Sequence, residues 1–130
     1  MSGALLLDTH AFLWFVSGSS RLSSAARNAI AAQDTQAFVS AASAWEITTK
    51  YRIGKLPEFA VIAADVPKVI VERGFMALPV SAEHGHHAGA LPGAHGDPFD
   101  RMLAAQALLD RLTLVSNDAA FAAFGVRTLW

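Results

Sequence analysis

Cysteine is absent from this 130-residue chain. That excludes a disulfide framework and any thiolate-ligated structural zinc, and it suits a reducing cytoplasm. Charge is sparse as well. Asp, Glu, Lys and Arg make up 16% of the residues, and ten basic side chains against eleven acidic ones leave a formal net charge of −1. A domain-wide basic field for nucleic acid is therefore missing, and any such contact has to rest on a local patch or on metal ions. No apolar run approaches the ~18 residues of a membrane span; Asp8, Ser17, Arg27 and Asp110 interrupt the longest candidates. The apolar run Ala4–Leu7 has no basic flank and stops at Asp8, so no signal peptide is expected. Asn-Gly and Asp-Gly hairpin turns are missing, as are internal repeats, low-complexity tracts and a glycine-rich phosphate loop after the first apolar run.

What is present is apolar: 53% of residues are hydrophobic, which with so little net charge excludes disorder. The length fits a single domain spanning residues 1–130, able to bury about two thirds of its extended surface. Short apolar runs alternate with helical patterns. Strands are expected at Ala4–Leu7, Gln36–Val39, Phe75–Val80, Thr113–Ser116 and Val126–Leu129. Between them come a helix through Phe12 and Val16, one capped by Ser23, and one capped by Ser40 that ends at Gly54. A helical stretch from Pro57 to Arg73 is expected to kink at Pro67, and Ser81 caps another helix. Residues 85–98 look loop-like, and Asp97-Pro98 opens a helix to Arg111. Phe12, Trp14, Phe15 and Trp45 are expected in or near the core, with some of them free to form a dimer or partner surface. This alternation predicts an α/β fold whose short, mainly parallel sheet is covered on both faces. Sites in such sheets lie at the carboxyl ends of the strands.

The few acids are placed at those ends. Asp8 follows the first strand and Asp118 the fourth, in Ser116-Asn117-Asp118; Glu46 lies on the helix after the second strand, and Asp97 and Asp100 open the helix before the fourth. Gathered at one edge they would repel strongly unless cations sat between them. An all-oxygen ligand set favours Mg²⁺ or Mn²⁺, and such a site can hold two metal ions that clamp a phosphodiester and activate water. Each acid also has a purely structural explanation. Asp8, Asp97 and Asp118 can be helix caps, and Glu46 can pair with Lys50 one helical turn on.

Three segments together resemble the PIN domain, and more narrowly the VapC-type ribonuclease toxins of prokaryotic toxin–antitoxin pairs. They are Asp8-Thr9-His10 after a buried strand, Ser43-Ala44-Trp45-Glu46-Ile47 with Lys50 and Gly54-Lys55-Leu56, and His95-Gly96-Asp97-Pro98-Phe99-Asp100-Arg101 running into Ala104-Ala105-Gln106-Ala107. Ser116-Asn117-Asp118 followed by Phe121 is similar to a fourth motif of the family. The resemblance implies a PIN-like three-layer α/β/α sandwich and a Mg²⁺- or Mn²⁺-dependent endoribonuclease. Asp8, Glu46, Asp100 and Asp118 would be its catalytic and metal-holding quartet. Asp97 would be a cap or outer contact, and Thr9, Ser116 and Asn117 would support metal or phosphate. Lys50 and Arg101 are the basic candidates for RNA phosphate, ahead of Arg52 and Lys55. Gly96 departs from the family pattern, where a basic residue is common. The resemblance further implies a homodimer and a cognate antitoxin protein, with DNA reached only through the antitoxin, and an RNA substrate met in the prokaryotic cytoplasm.

Two other readings fit parts of the chain. A non-catalytic PIN-like binding domain would keep the shape without the chemistry. A Mg²⁺-dependent phosphohydrolase of the haloacid-dehalogenase type would need a second acid two residues after Asp8, where His10 stands. His84, His86, His87 and His95 invite a zinc site, since His84 and His87 have a usable helical spacing. No HExxH motif accompanies them, and a packed or solvated His-rich segment is the competing explanation.

Overall fold

Ala4–Leu7 is apolar at every position, as a strand covered on both faces must be, and it forms β1 at the centre of the sheet. The computed structural model describes residues 3–130. The other strands are β2 (Gln36–Ser40), β3 (Met76–Leu78), β4 (Thr113–Val115) and β5 (Thr128–Leu129). All pairings are parallel and the order is β3-β2-β1-β4-β5. Leu7 registers with Val39 on one side and Val115 on the other. The chain thus steps outward through β2 and β3, then returns to the far side of β1. The switch point lies between β1 and β4, where open sheets of this kind form crevices.

Helices make the outer layers. They are α1 (Thr9–Ser17), α2 (Ser24–Ala31), α3 (Ala41–Arg52), α4 (Ala60–Ala64), α5 (Val66–Glu72), α6 (Ala82–Ala90) and α7 (Pro98–Leu109), with 3-10 turns at Pro57–Phe59 and Ala119–Phe124. The pleat of β1 divides the core. Leu5 and Leu7 pack with Phe12, Ile47, Ile62 and Ile70 from α1–α5. Leu6 and Leu114 pack with Leu103, Ala104 and Phe121 beneath α6 and α7. The result is a three-layer α/β/α sandwich. Among the described residues no helix is long and apolar enough to cross a membrane.

The expected caps are in place: Ser23, Ser40, Ser81 and Asp97 each accept a main-chain N–H in the first turn of their helices. Three expectations need correction. The helical stretch after Pro57 breaks at Asp65 rather than Pro67, because the Asp65 side chain caps α5 and Pro67 falls in its first turn, where no N–H is needed. Residues 85–90 are helical, not loop. A capping box between Ser81 and His84 starts α6, and Ala88 buries against the second core. Trp45 is 60% exposed instead of lying in the core.

Leu6 is fully buried at 0% exposure and Val61 stands out at 86%. Leu6→Ala is expected to cost about 2–5 kcal/mol in denaturant unfolding, whereas Val61→Ala should stay within about 0.5 kcal/mol.

Candidate active site

The ends of β1 and β4 lie side by side at the switch point, joined by the Asp8 N–H donating to the Val115 carbonyl at 3.0 Å. Asp8 leaves β1 and caps α1, its Oδ1 accepting the Ala11 N–H at 2.7 Å. Ser116, Asn117 and Asp118 leave β4. Asp118 caps the 3-10 turn through the Ala120 N–H, and its own N–H donates to the Ser116 hydroxyl. From the other side Asp97 caps α7 by accepting the Asp100 N–H at 3.0 Å. Asp8, Glu46, Asp100 and Asp118 line one cleft of about 250 Å³, together with Asp97, Thr9, His10, Lys50, Asn117 and Phe121. Ser116 is buried beneath it. The capping role and the cleft position therefore hold together for Asp8, Asp97 and Asp118.

Glu46 is the most deeply held of these acids, 5% exposed, and both its oxygens are engaged. Thr9 Oγ1 lies 2.5 Å from Oε1 and 3.0 Å from the Ser43 hydroxyl. With one proton to give, Thr9 donates to the carboxylate and accepts from Ser43. Lys50 Nζ donates to Oε2 at 2.5 Å. Ser43 carried no assignment from the sequence. Its position one turn before Glu46 on α3 was the available signal.

Burial pushes the Asp8 carboxyl above its ordinary value, and Asp100 adds to this; the Ser116 hydroxyl, the Ala11 N–H and His10 pull the other way. Burial likewise raises Asp100, against a hydrogen bond from His95, and the charges of Asp97 and Glu46 raise it further. Burial disfavours the Lys50 ammonium, but the Glu46 hydrogen bond and charge, with Asp97 and Asp100 nearby, hold its pKa above the usual lysine value. This is the field of an acidic site that wants positive charge.

The donor set is all oxygen and hard, which fits Mg²⁺ or Mn²⁺. Among the described residues, no three acid or histidine side chains are drawn together as a ready cation cage. Two of the acids are instead engaged by the chain itself: Lys50 holds Glu46, and His95 Nε2 lies 2.9 Å from Asp100 Oδ2. His95 thus touches an acid directly. Its ring also meets Phe124 edge-on at 5.9 Å.

Two other groups are placed away from the acids. Arg101, a phosphate candidate by sequence, donates to four main-chain carbonyls: Ala88 at 2.9 Å, His95 at 2.8 Å, Gly89 at 3.4 Å and Leu91 at 2.5 Å. That occupies four of its five N–H groups and ties α7 to the end of α6 and the following loop. His84 is buried, accepts the Ser81 N–H at Nδ1 and donates from Nε2 to Asp110 at 3.0 Å. It is a structural histidine, and the zinc spacing with His87 loses one ligand.

Asp8→Asn keeps an N-cap side chain and removes a buried charge. Because the folded pKa of Asp8 is raised above 3.8, its contribution to stability is full below that pH and is lost as pH rises through the folded value. In chelator at pH 7, Asp8→Asn should therefore melt at a higher temperature than the parent chain, with the gap closing toward pH 3.8. A lower Tm at pH 7 would contradict the electrostatic account.

Residues 5–126 match the profile of the PIN domain family. Several solved structures share the fold at low identity. VapBC2 from Rickettsia felis bound to a DNA fragment from their promoter gives a TM-score of 0.70 at 16% identity, covering 97% of each chain. FitAcB from Neisseria gonorrhoeae gives 0.67 at 16% identity, covering 97% of this chain and 96% of that one. VapC20 of Mycobacterium tuberculosis, described as a Sarcin-Ricin loop cleaving toxin, gives 0.65 at 18% identity, covering 94% and 95%. No curated protein is detectably similar in sequence. These likenesses show the fold, and the profile spans nearly the whole chain: the protein belongs to the PIN domain family.

Proposed function

We propose that this PIN domain is a Mg²⁺- or Mn²⁺-dependent endoribonuclease, the toxin of a type II toxin–antitoxin pair. The observation that carries this reading is the convergence of Asp8, Glu46, Asp100 and Asp118 from four separate segments into one cleft at the carboxyl edge of the sheet. A divalent ion bound there supplies a Lewis acid for the scissile phosphate and an activated water. Asp8, Asp100 and Asp118 would hold it, with Glu46 completing the acidic lining of the cleft. Thr9 orients Glu46, and Ser116 fixes the main chain at Asp118. Asn117 is exposed at the mouth, where it can meet a phosphate oxygen. Water adds to phosphorus in line, the bond to the 3′-oxygen breaks, and that oxygen takes a proton. The products are a 5′-phosphate and a 3′-hydroxyl.

The surroundings of the cleft support protein partners. An apolar groove of about 470 Å³ adjoins it, lined by Ala42, Trp45, Val80, Pro98 and Met102 among others. Trp45 packs edge-on against Phe99 at 4.7 Å yet stays largely exposed. Exposed aromatic and Met surface of this kind suits protein partners: the cognate antitoxin and a second copy in a homodimer. One structure of similar fold is a toxin–antitoxin complex from Klebsiella pneumoniae, and VapC20 is described as a Sarcin-Ricin loop cleaving toxin. DNA would be reached through the antitoxin, and the cytoplasm of a prokaryote is where such a toxin acts.

The purified, antitoxin-free chain is expected to cut total RNA at discrete positions with Mg²⁺ or Mn²⁺. EDTA should abolish the cleavage, and Asp8→Asn or Asp100→Asn should each lower its rate on the order of 100-fold or more. A folded chain that leaves all RNA intact with either ion would favour a binding domain instead.

A further inference from the structure

The acids of the cleft fall into two groups that share Asp100. Asp8 stands at the end of β1, bonded to the end of β4 from which Ser116 and Asp118 leave, with His10 and Asp100 near enough to act on its charge. Glu46 and Asp97 approach Asp100 from α3 and the start of α7. The second group already contains a cation. Lys50 Nζ touches Glu46 Oε2, lies 6.0 Å from the centre of the Phe99 ring, and is close enough to Asp97 and Asp100 to feel both charges. The Lys50 side chain is 28% exposed and that of Glu46 6%, so this is a shielded pair rather than a solvated surface one.

Both oxygens of Glu46 are occupied, one by the Thr9 hydroxyl and one by this ammonium. Mg²⁺ and Mn²⁺ bind carboxylate oxygens at roughly 2.1 Å. An ion on Glu46 would therefore meet the ammonium within a few ångströms, with a large repulsion at low local dielectric. Moving Lys50 away would leave Glu46 buried and unpaired, which is costly in itself.

We propose that Lys50 is a positioning residue that stands where a second metal ion would sit, so that the cleft takes one divalent ion, on the side of Asp8, Asp100 and Asp118. The inference rests on the nuclease reading of the cleft. An ammonium has three donors, and Glu46 uses one; the others are left to meet a phosphate oxygen opposite the single ion.

Mn²⁺ titration tests this without any RNA, with heat of binding from calorimetry and free ion counted by electron paramagnetic resonance at pH 7. The wild-type chain should bind one Mn²⁺. Lys50→Met, which keeps the stem and removes the charge, should bind two, and Lys50→Arg should return the count to one. Lys50→Gln, which can still hydrogen-bond Glu46 without charge, serves if Lys50→Met does not fold, and should also bind two. Two ions in the wild type, or one in folded Lys50→Met or Lys50→Gln, overturns the inference and leaves the nuclease reading standing. No Mn²⁺ bound by any of the chains overturns both.

Discussion

Carboxylates crowded at one end of a small sheet repel each other, and much of this molecule is arranged to contain that repulsion. The N-termini of α1 and α7 face the cleft and are capped by acids, so the partial positive charge of each helix start acts on the cluster. Lys50 and His95 add cationic or hydrogen-bonding partners from within the chain. Glu46, the most enclosed acid, is gripped by a residue of α1 and by its own helix. That grip links the first turn after β1 to α3, and α3 in turn packs near α7 through Trp45 and Phe99.

Arg101 performs a related task at main-chain level. The end of α6 and the loop to α7 expose carbonyl groups that have no helical partner. One guanidinium gathers four of them. The His95 carbonyl is among these, and the ring of the same residue reaches Asp100. The loop that brings His95 to the cleft is therefore held from below by the residue next to the acid that His95 contacts. A phosphate-binding arginine and a loop-bracing arginine look alike in sequence, because both are basic residues beside an acidic motif.

The periodicity of the apolar residues made the strand and helix order legible, and the caps made most boundaries legible. Asp8, Glu46, Asp97, Asp100 and Asp118 were legible as acids near strand ends, and the resemblance to the PIN domain singled out Asp8, Glu46, Asp100 and Asp118 among them. Contacts that depend on the third dimension were not. Nothing in the spacing of Thr9, Ser43 and Glu46 along the chain shows that a hydroxyl from α1 reaches a carboxylate on α3. Trp45 misled because a large aromatic in an apolar segment usually faces inward, whereas α3 turns it toward the groove. The glycines of α6 misled for a similar reason. Local helix propensity is weak there, and the capping box and burial of Ala88 outweigh it.

The double duty of the caps also bears on how such a domain would age. At positions 8, 97 and 118 a helix or turn begins on the side chain, so a lineage that abandoned the chemistry would still be held by selection on folding to Asp, Asn, Ser or Thr there. Among the described residues the carboxylates of Glu46 and Asp100 cap no helix. Drift at those two positions, with the capping ones intact, would be the mark of a retired nuclease.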